Sequence, residues 1–201
     1  MKKIKIAVLI SGSGTNLQAL IDACKEDDFP AAIVMVLSNK PDAYGLKRAK
    51  EANIKTIVIN HKDYNSREEF DQSMDEALRL SGAQFVCMAG FMRLLSGWFT
   101  DKWQGKLLNI HPSLLPSFKG VNAQKQALES GVKFAGCTVH FVTADMDAGP
   151  IIKQAVVEVA ENDTVESLTA KILEKEHQIY PEALRLVAVA TNLATLNDHQ
   201  V

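Results

Sequence analysis

Residues 4–20 read IKIAVLISGSGTNLQAL, and the fold turns on how this passage is parsed. Ile4–Ile10 is almost entirely apolar and rich in Ile, Val and Leu, the pattern of a strand covered on both faces. Ser11–Gly14 then brings two glycines, and Leu17–Lys25 repeats its apolar residues at helical spacing. A strand that runs through a glycine turn into a helix opens a parallel α/β unit. The preceding Met1-Lys2-Lys3 gives the start the outline of a signal peptide. Lys5 breaks its apolar run, however, Ser11-Gly12 ends it, and no small-residue cleavage site follows.

The same grammar continues down the chain. Ala31–Leu37, Thr56–Ile59, Phe85–Ala89 and Lys106–Ile110 read as further strands, and Tyr44–Ala52 and Ser66–Leu80 as helices. This alternation predicts a Rossmann-like α/β fold, a mostly parallel sheet wound by right-handed crossovers and flanked by helices. Past residue 132 the pattern changes. GCTVHFV (136–142) and GPIIKQAVVEV (149–159) are strand-like runs joined by the polar loop TADMDA, which predicts an antiparallel edge. Asp163-Thr164 is placed to cap a long last helix, with Glu166 near its third position, reaching about Leu193. Pro181 is expected to kink or interrupt that helix. With no repeat, low-complexity tract or linker, one domain over residues 1–201 is expected.

Composition narrows the class. Of 201 residues, 47% are hydrophobic and 23% charged, with a formal net charge of −2, as in globular proteins that bury a substantial core. No dense Lys/Arg cluster offers a nucleic-acid surface, and no apolar run is long enough to span a membrane. Cys24, Cys87 and Cys137 are odd in number and share no metal-ligand spacing. They read as reduced, buried thiols of a cytoplasmic protein rather than as a disulfide set or a nucleophile.

Two passages carry chemistry. In ISGSGTNLQAL, the Walker A pattern fails because no Gly-Lys-Ser/Thr follows. The dinucleotide pattern fails because Leu17 stands where a third glycine belongs. Gly12 and Gly14 permit a tight turn, and the helix-start amides of Gly14, Thr15 and Asn16 can instead hold a phosphate monoester; a plain turn with Thr15 as cap is the alternative. The second passage is LLNIHPSLLP, Leu107–Pro116. Asn109 and His111, two apart on an extended chain, point to one side at a strand exit, where open α/β sheets bind ligands. An amide and an imidazole so placed can donate to an oxyanion. A carboxylate to orient the ring and move a proton is offered by Asp145 or Asp147; Asp147, just before Ala148-Gly149-Pro150, is the better placed. A strand-capping histidine and a turn aspartate are the structural alternatives.

These segments together resemble the glycinamide ribonucleotide formyltransferases of purine synthesis, which use 10-formyltetrahydrofolate. VLISGSGTNLQAL is similar to the family's phosphate-binding start, AGFMRLLS to its folate-binding segment and LLNIHPSLLPSFKG to its catalytic strand. CTVHFVTADMDAGPII is similar to its aspartate loop and EHQIYPEAL to its closing helix. The resemblance implies that Asn109 and His111 stabilise the tetrahedral oxyanion and that Asp147 pairs with His111. It implies that the amides of Gly12, Ser13, Gly14, Thr15 and Asn16 hold the ribonucleotide phosphate and that Glu176 binds the ribose. Met92, Arg93, Leu94 and Leu95 would line the folate pocket beside Asn109, and Arg67 would meet an anionic group. No metal, nucleic acid or membrane is expected, and the protein would be a monomer or homodimer. His140 is expected to pack or hydrogen-bond rather than to catalyse, and His177 receives no role. Two departures stand out: Gln124 where some members carry histidine, and Leu173 where some carry a polar side chain.

Related activities are set apart on length. Methionyl-tRNA formyltransferases, similar around HPSLLP, need a further tRNA-binding domain. Formyltetrahydrofolate deformylases, which use water in place of the amine, carry an N-terminal regulatory domain. The 201-residue sequence is expected to match neither. A non-catalytic phosphate- or folate-binding module would treat Asn109, His111 and Asp147 as scaffold and would bind without turnover.

Overall fold

Alternate residues of the first strand serve two different cores. In the computed structural model, which describes residues 3–198, β1 (Ile4–Ile10) sends Ile4, Ile6, Val8 and Ile10 to one side and Ala7 and Leu9 to the other. Strand side chains alternate in direction, so a strand apolar throughout must be covered on both faces. On the first face lie α1 (Thr15–Lys25), α2 (Gly45–Glu51) and α6 (Val165–Asp198), which contribute Leu17, Leu20, Leu46, Ile172 and Tyr180. On the second lie α3 (Arg67–Leu80) and α4 (Gly97–Lys102), with Phe70, Met74, Leu78 and Phe99.

The remaining strands are β2 (Ala31–Ser38), β3 (Thr56–Val58), β4 (Phe85–Met88), β5 (Leu107–His111), β6 (Phe134–Phe141) and β7 (Ile151–Glu158). The sheet order is β3-β2-β1-β4-β5-β6-β7. β1 to β5 are parallel; β6 runs antiparallel to β5, and β7 to β6. The expected Rossmann-like sheet with an antiparallel edge is therefore what forms. The chain winds outward from β1 through β2 to β3, then returns to β4 beside β1 and winds the other way. A crevice opens at such a reversal, beyond the carboxyl ends of the strands. The loops after β1 and β4 flank it, and β5 exits next to it.

Element ends moved by one to a few residues. The consequential shift is that β5 reaches His111, so Asn109 and His111 both sit on regular strand. Three short elements were not anticipated: a 3₁₀ turn at His61–Asp63, α4, and α5 (Ala123–Glu129), each too short for helical periodicity to register. Pro181 lies inside α6, which is continuous from Val165 to Asp198, so it does not interrupt the helix and the end lies beyond Leu193. The cap also differs in one member. Ser167, not Glu166, completes the reciprocal box: Thr164 Oγ1 accepts from Ser167 N–H at 3.2 Å, and Ser167 Oγ accepts from Thr164 N–H at 2.9 Å.

Cys87 and Cys137 are fully buried and Cys24 half-buried. Burial pushes each thiol up to about 12, which removes the thiolate a nucleophilic Cys137 would need. Among the described residues, no helix is long and apolar enough to cross a membrane.

Candidate active site

Antiparallel pairing builds the centre of the site. β5 meets β6 in a register that sets Asn109 opposite His140 and His111 opposite Thr138. His140 Nδ1–H donates to the Phe141 carbonyl at 2.8 Å, which leaves its Nε2 as an acceptor facing Asn109 Nδ2 at 3.4 Å. Burial lowers the His140 pKa, with the Phe141 carbonyl and Asp147 opposing, so the ring stays neutral. It fixes which end of the Asn109 amide is the NH₂ and leaves one N–H of that amide to donate elsewhere. His140 thus hydrogen-bonds, as expected, but at a functional position that only strand register exposes.

His111 is 5% exposed. Its Nε2 lies 2.9 Å from the Phe118 carbonyl and its Nδ1 lies 3.5 Å from Asp147 Oδ2. The ring thus lies between the Phe118 carbonyl and the Asp147 carboxylate. Asp147, in the left-handed region at φ 49°, lies between the two histidines. Its Oδ2 also accepts from Gly120 N–H at 2.8 Å, and its Oδ1 is 3.8 Å from His140 Nε2. Asp145 is exposed, whereas Asp147 lies within 4 Å of both rings. Thr138 pins the loop after His111: its hydroxyl donates to Ser113 O at 2.7 Å and accepts from Leu115 N–H at 3.1 Å.

The glycine turn lies across the crevice. Gly14 holds the N-cap of α1 at φ 70°, with no side-chain cap. Among the described residues, the N–H groups of Ser13, Gly14, Thr15, Asn16 and Leu17 have no protein acceptor. Thr15 does not act as the cap. Asn16 Nδ2 donates to Glu176 Oε2 at 2.6 Å, joining α1 to α6. Glu176 is 7% exposed, and desolvation pushes its carboxyl up to about 6 against the Asn16 hydrogen bond. Asn16 Oδ1 is buried without a partner, an acceptor left open beside the carboxylate.

The loop after β4 completes the rim. Met92 N–H donates to Ser11 Oγ at 2.8 Å, and Ser11 Oγ donates to Asn39 Oδ1 at 2.6 Å. Ser11 thereby ties the Met92 loop to the residue before Gly12. Met92 is 69% exposed, Leu94 57%, Val121 73% and Met146 53%; Arg93 is exposed and Leu95 half-buried. Exposed apolar side chains concentrated near a polar cluster mark a surface that a ligand covers. Arg67 is exposed at the start of α3, away from the Asn109–His111–Asp147 cluster in hydrogen-bonding terms. Gln124 and Leu173 are half-buried on α5 and α6 and make no contact with that cluster. A cavity of about 530 Å³ lined by Arg79, Phe85, Lys102, Trp103 and Lys106 opens at the amino ends of β4 and β5. It shares no residue with the cluster and converges no acid–base pair, so the cluster is the better site. Among the described residues, no group of three or more His, Cys, Asp or Glu could hold a metal ion.

Comparison with known proteins converges on one family. A family model described as formyl transferase matches residues 4–184. The phosphoribosylglycinamide formyltransferase of Escherichia coli is 46% identical over 178 residues, 89% of this chain and 84% of that protein. The human trifunctional purine biosynthetic protein adenosine-3 is 56% identical over 190 residues, 94% of this chain but 19% of that protein. The chain thus spans only 14% to 19% of the length of the trifunctional relatives. Among solved structures, glycinamide ribonucleotide transformylase 1 from Symbiobacterium toebii superposes with a TM-score of 0.92 at 54% identity, covering 94% of this chain and 89% of that one.

Proposed function

The chain belongs to the formyl transferase family, and from that membership we propose that it transfers the formyl group of 10-formyltetrahydrofolate to the amine of glycinamide ribonucleotide. What supports this reading is a run of contacts beside the crevice, Asn109 to His140 at 3.4 Å, His140 to Asp147 at 3.8 Å and Asp147 to His111 at 3.5 Å.

The amine nitrogen attacks the formyl carbon, and the formyl oxygen becomes anionic. Asn109 donates to that oxygen the N–H that His140 does not use. His111 supplies positive charge, its Nε2–H leaving the Phe118 carbonyl for the oxyanion. Such donors are worth most where charge develops and water is excluded. Asp147, anchored by Gly120 N–H, holds the imidazolium and accepts the proton that the amine nitrogen, cationic once its bond to the formyl carbon has formed, must lose. The intermediate collapses as the bond from carbon to the folate N10 breaks and N10 takes up the proton that Asp147 had accepted, giving formylglycinamide ribonucleotide and tetrahydrofolate. The unpartnered amides from Ser13 to Asn16, with Gly12 open beside them, receive the phosphate. Glu176 and Asn16 Oδ1 accept from ribose hydroxyls. Met92, Arg93, Leu94 and Leu95 form the folate wall, with Arg67 toward its anionic end. Residues 1–201 act as one such domain, monomer or homodimer, and the unpaired thiols suit a cytoplasmic setting.

The deciding assay follows loss of the folate formyl group with and without glycinamide ribonucleotide. Turnover that requires the amine is expected, with kcat falling about a hundredfold to a thousandfold in His111→Ala. Equal rates without the amine would make water the acceptor and the enzyme a deformylase. Near-normal kcat in folded His111→Ala would overturn the assigned role.

A further inference from the structure

The glycine turn is shaped by α2, not by α1 alone. Gly45 N–H, at the start of α2, donates to the Gly12 carbonyl at 3.0 Å. One turn later on the same helix, Arg48 Nε–H donates to the Ser13 carbonyl at 2.9 Å. Two successive carbonyls of the turn are therefore drawn toward α2. In a trans peptide the C=O of one residue and the N–H of the next point in opposite directions. Holding the Gly12 carbonyl aims Ser13 N–H away from α2, and holding the Ser13 carbonyl does the same for Gly14 N–H. Both then add to the free first-turn amides of α1, forming a concave set of donors suited to an anion.

Arg48 is itself held in place. Its guanidinium lies 5.1 Å from the centre of the Tyr44 ring and its Nη1 is 3.4 Å from Gln18 Oε1, so α1 and α2 share it. The close approach of the helices is enforced at the turn, since a Cβ on Gly14 would lie 2.6 Å from the Gly45 Cα. A planar guanidinium suits this position because one nitrogen can serve the carbonyl while another serves the glutamine.

We propose that Arg48 is a positioning residue for the ribonucleotide phosphate: it fixes the Ser13–Gly14 peptide so that the Gly14 N–H faces the anion. The proposal rests on the reading of the turn as the phosphate subsite of a formyltransferase, and its test separates the two. In Arg48→Met the KM for glycinamide ribonucleotide should rise about tenfold, the scale of one charge-assisted hydrogen bond. The KM for 10-formyltetrahydrofolate should not move, and the loss should fall on KM rather than on kcat. Methylguanidine added to the variant should restore part of the affinity. Inorganic phosphate gives a readout free of turnover: it should raise the melting temperature of the wild-type chain and do so much less in Arg48→Met.

An unchanged nucleotide KM, or an equal loss in both KM values and kcat, would overturn the proposal. If the wild-type chain fails to formylate the ribonucleotide yet phosphate still protects it and not Arg48→Met, the formyltransferase reading falls and the role of Arg48 stands.

Discussion

Glu176 shows at the scale of one residue how burial sets a working range. Its carboxyl sits at about 6, above the ordinary value near 4.5, because desolvation disfavours the charged form. A folded-state pKa raised above the unfolded one means that the native protein binds the proton more tightly. The stability this contributes is fully present below about pH 4.5 and is lost as pH rises through about 6, a swing of about 2 kcal/mol. Binding runs the other way, since only the ionised carboxylate accepts from two hydroxyls. The KM for the ribonucleotide should therefore rise as pH falls below about 6. Glu176→Gln should remove that inflection and flatten the matching limb of the melting temperature against pH. A wild-type KM flat from pH 5 to 7 would show that Glu176 does not meet the nucleotide.

At the scale of elements, the turn between β1 and α1 separates two kinds of glycine. Gly14 is structural twice over, through its φ of 70° and its contact with Gly45. Gly14→Ala should lower stability by at least about 1 kcal/mol from the left-handed backbone alone, with the clash in addition. A Cβ on Gly12 would meet nothing within 4 Å and Gly12 has no left-handed φ, so that side of the turn is open to a ligand. Gly12→Val should melt near the wild type while raising the nucleotide KM, and steady-state kinetics beside calorimetry checks both. An unchanged KM in Gly12→Val would put the phosphate elsewhere. The same turn is tied to the loop after β4 by Ser11, so the two loops that flank the crevice are held as one unit.

At the scale of the whole molecule, α6 binds the layers together through a buried phenol. Tyr180 is fully buried, and its hydroxyl lies 3.0 Å from the Met88 carbonyl and 3.3 Å from the Leu108 carbonyl. It thus bridges β4 and β5 just before they deliver the Met92 loop and Asn109. Tyr180→Phe removes that buried hydroxyl's hydrogen bonding to the two strands, a loss of about 0.5–1.5 kcal/mol. Chemical denaturation should show that loss, with kcat largely kept well below the melting transition. A variant as stable as the wild type would mean that water or a shifted backbone satisfies the carbonyls. Half-buried Arg185, paired with Glu26 and Asp28, adds a second and weaker tie between α6 and the far end of α1.

The sequence by itself determined the strand–helix order, the sidedness of the sheet and the antiparallel edge. Each is written in short-range periodicity, as in the continuous apolarity of Ile4–Ile10. It also marked Asn109 and His111, because a polar pair two apart at a strand exit is a local signal. What it left open are the meetings of residues far apart in the chain. Tertiary structure alone set Asn16 against Glu176, Asn109 against His140, and Ser13 against Arg48. It alone made Ser167 the partner of Thr164. The physical reason is that periodicity encodes which face of an element is buried, whereas strand register and helix docking fix which side chains meet. Both depend on the packing of the whole sheet, and no stretch of chain carries that information alone.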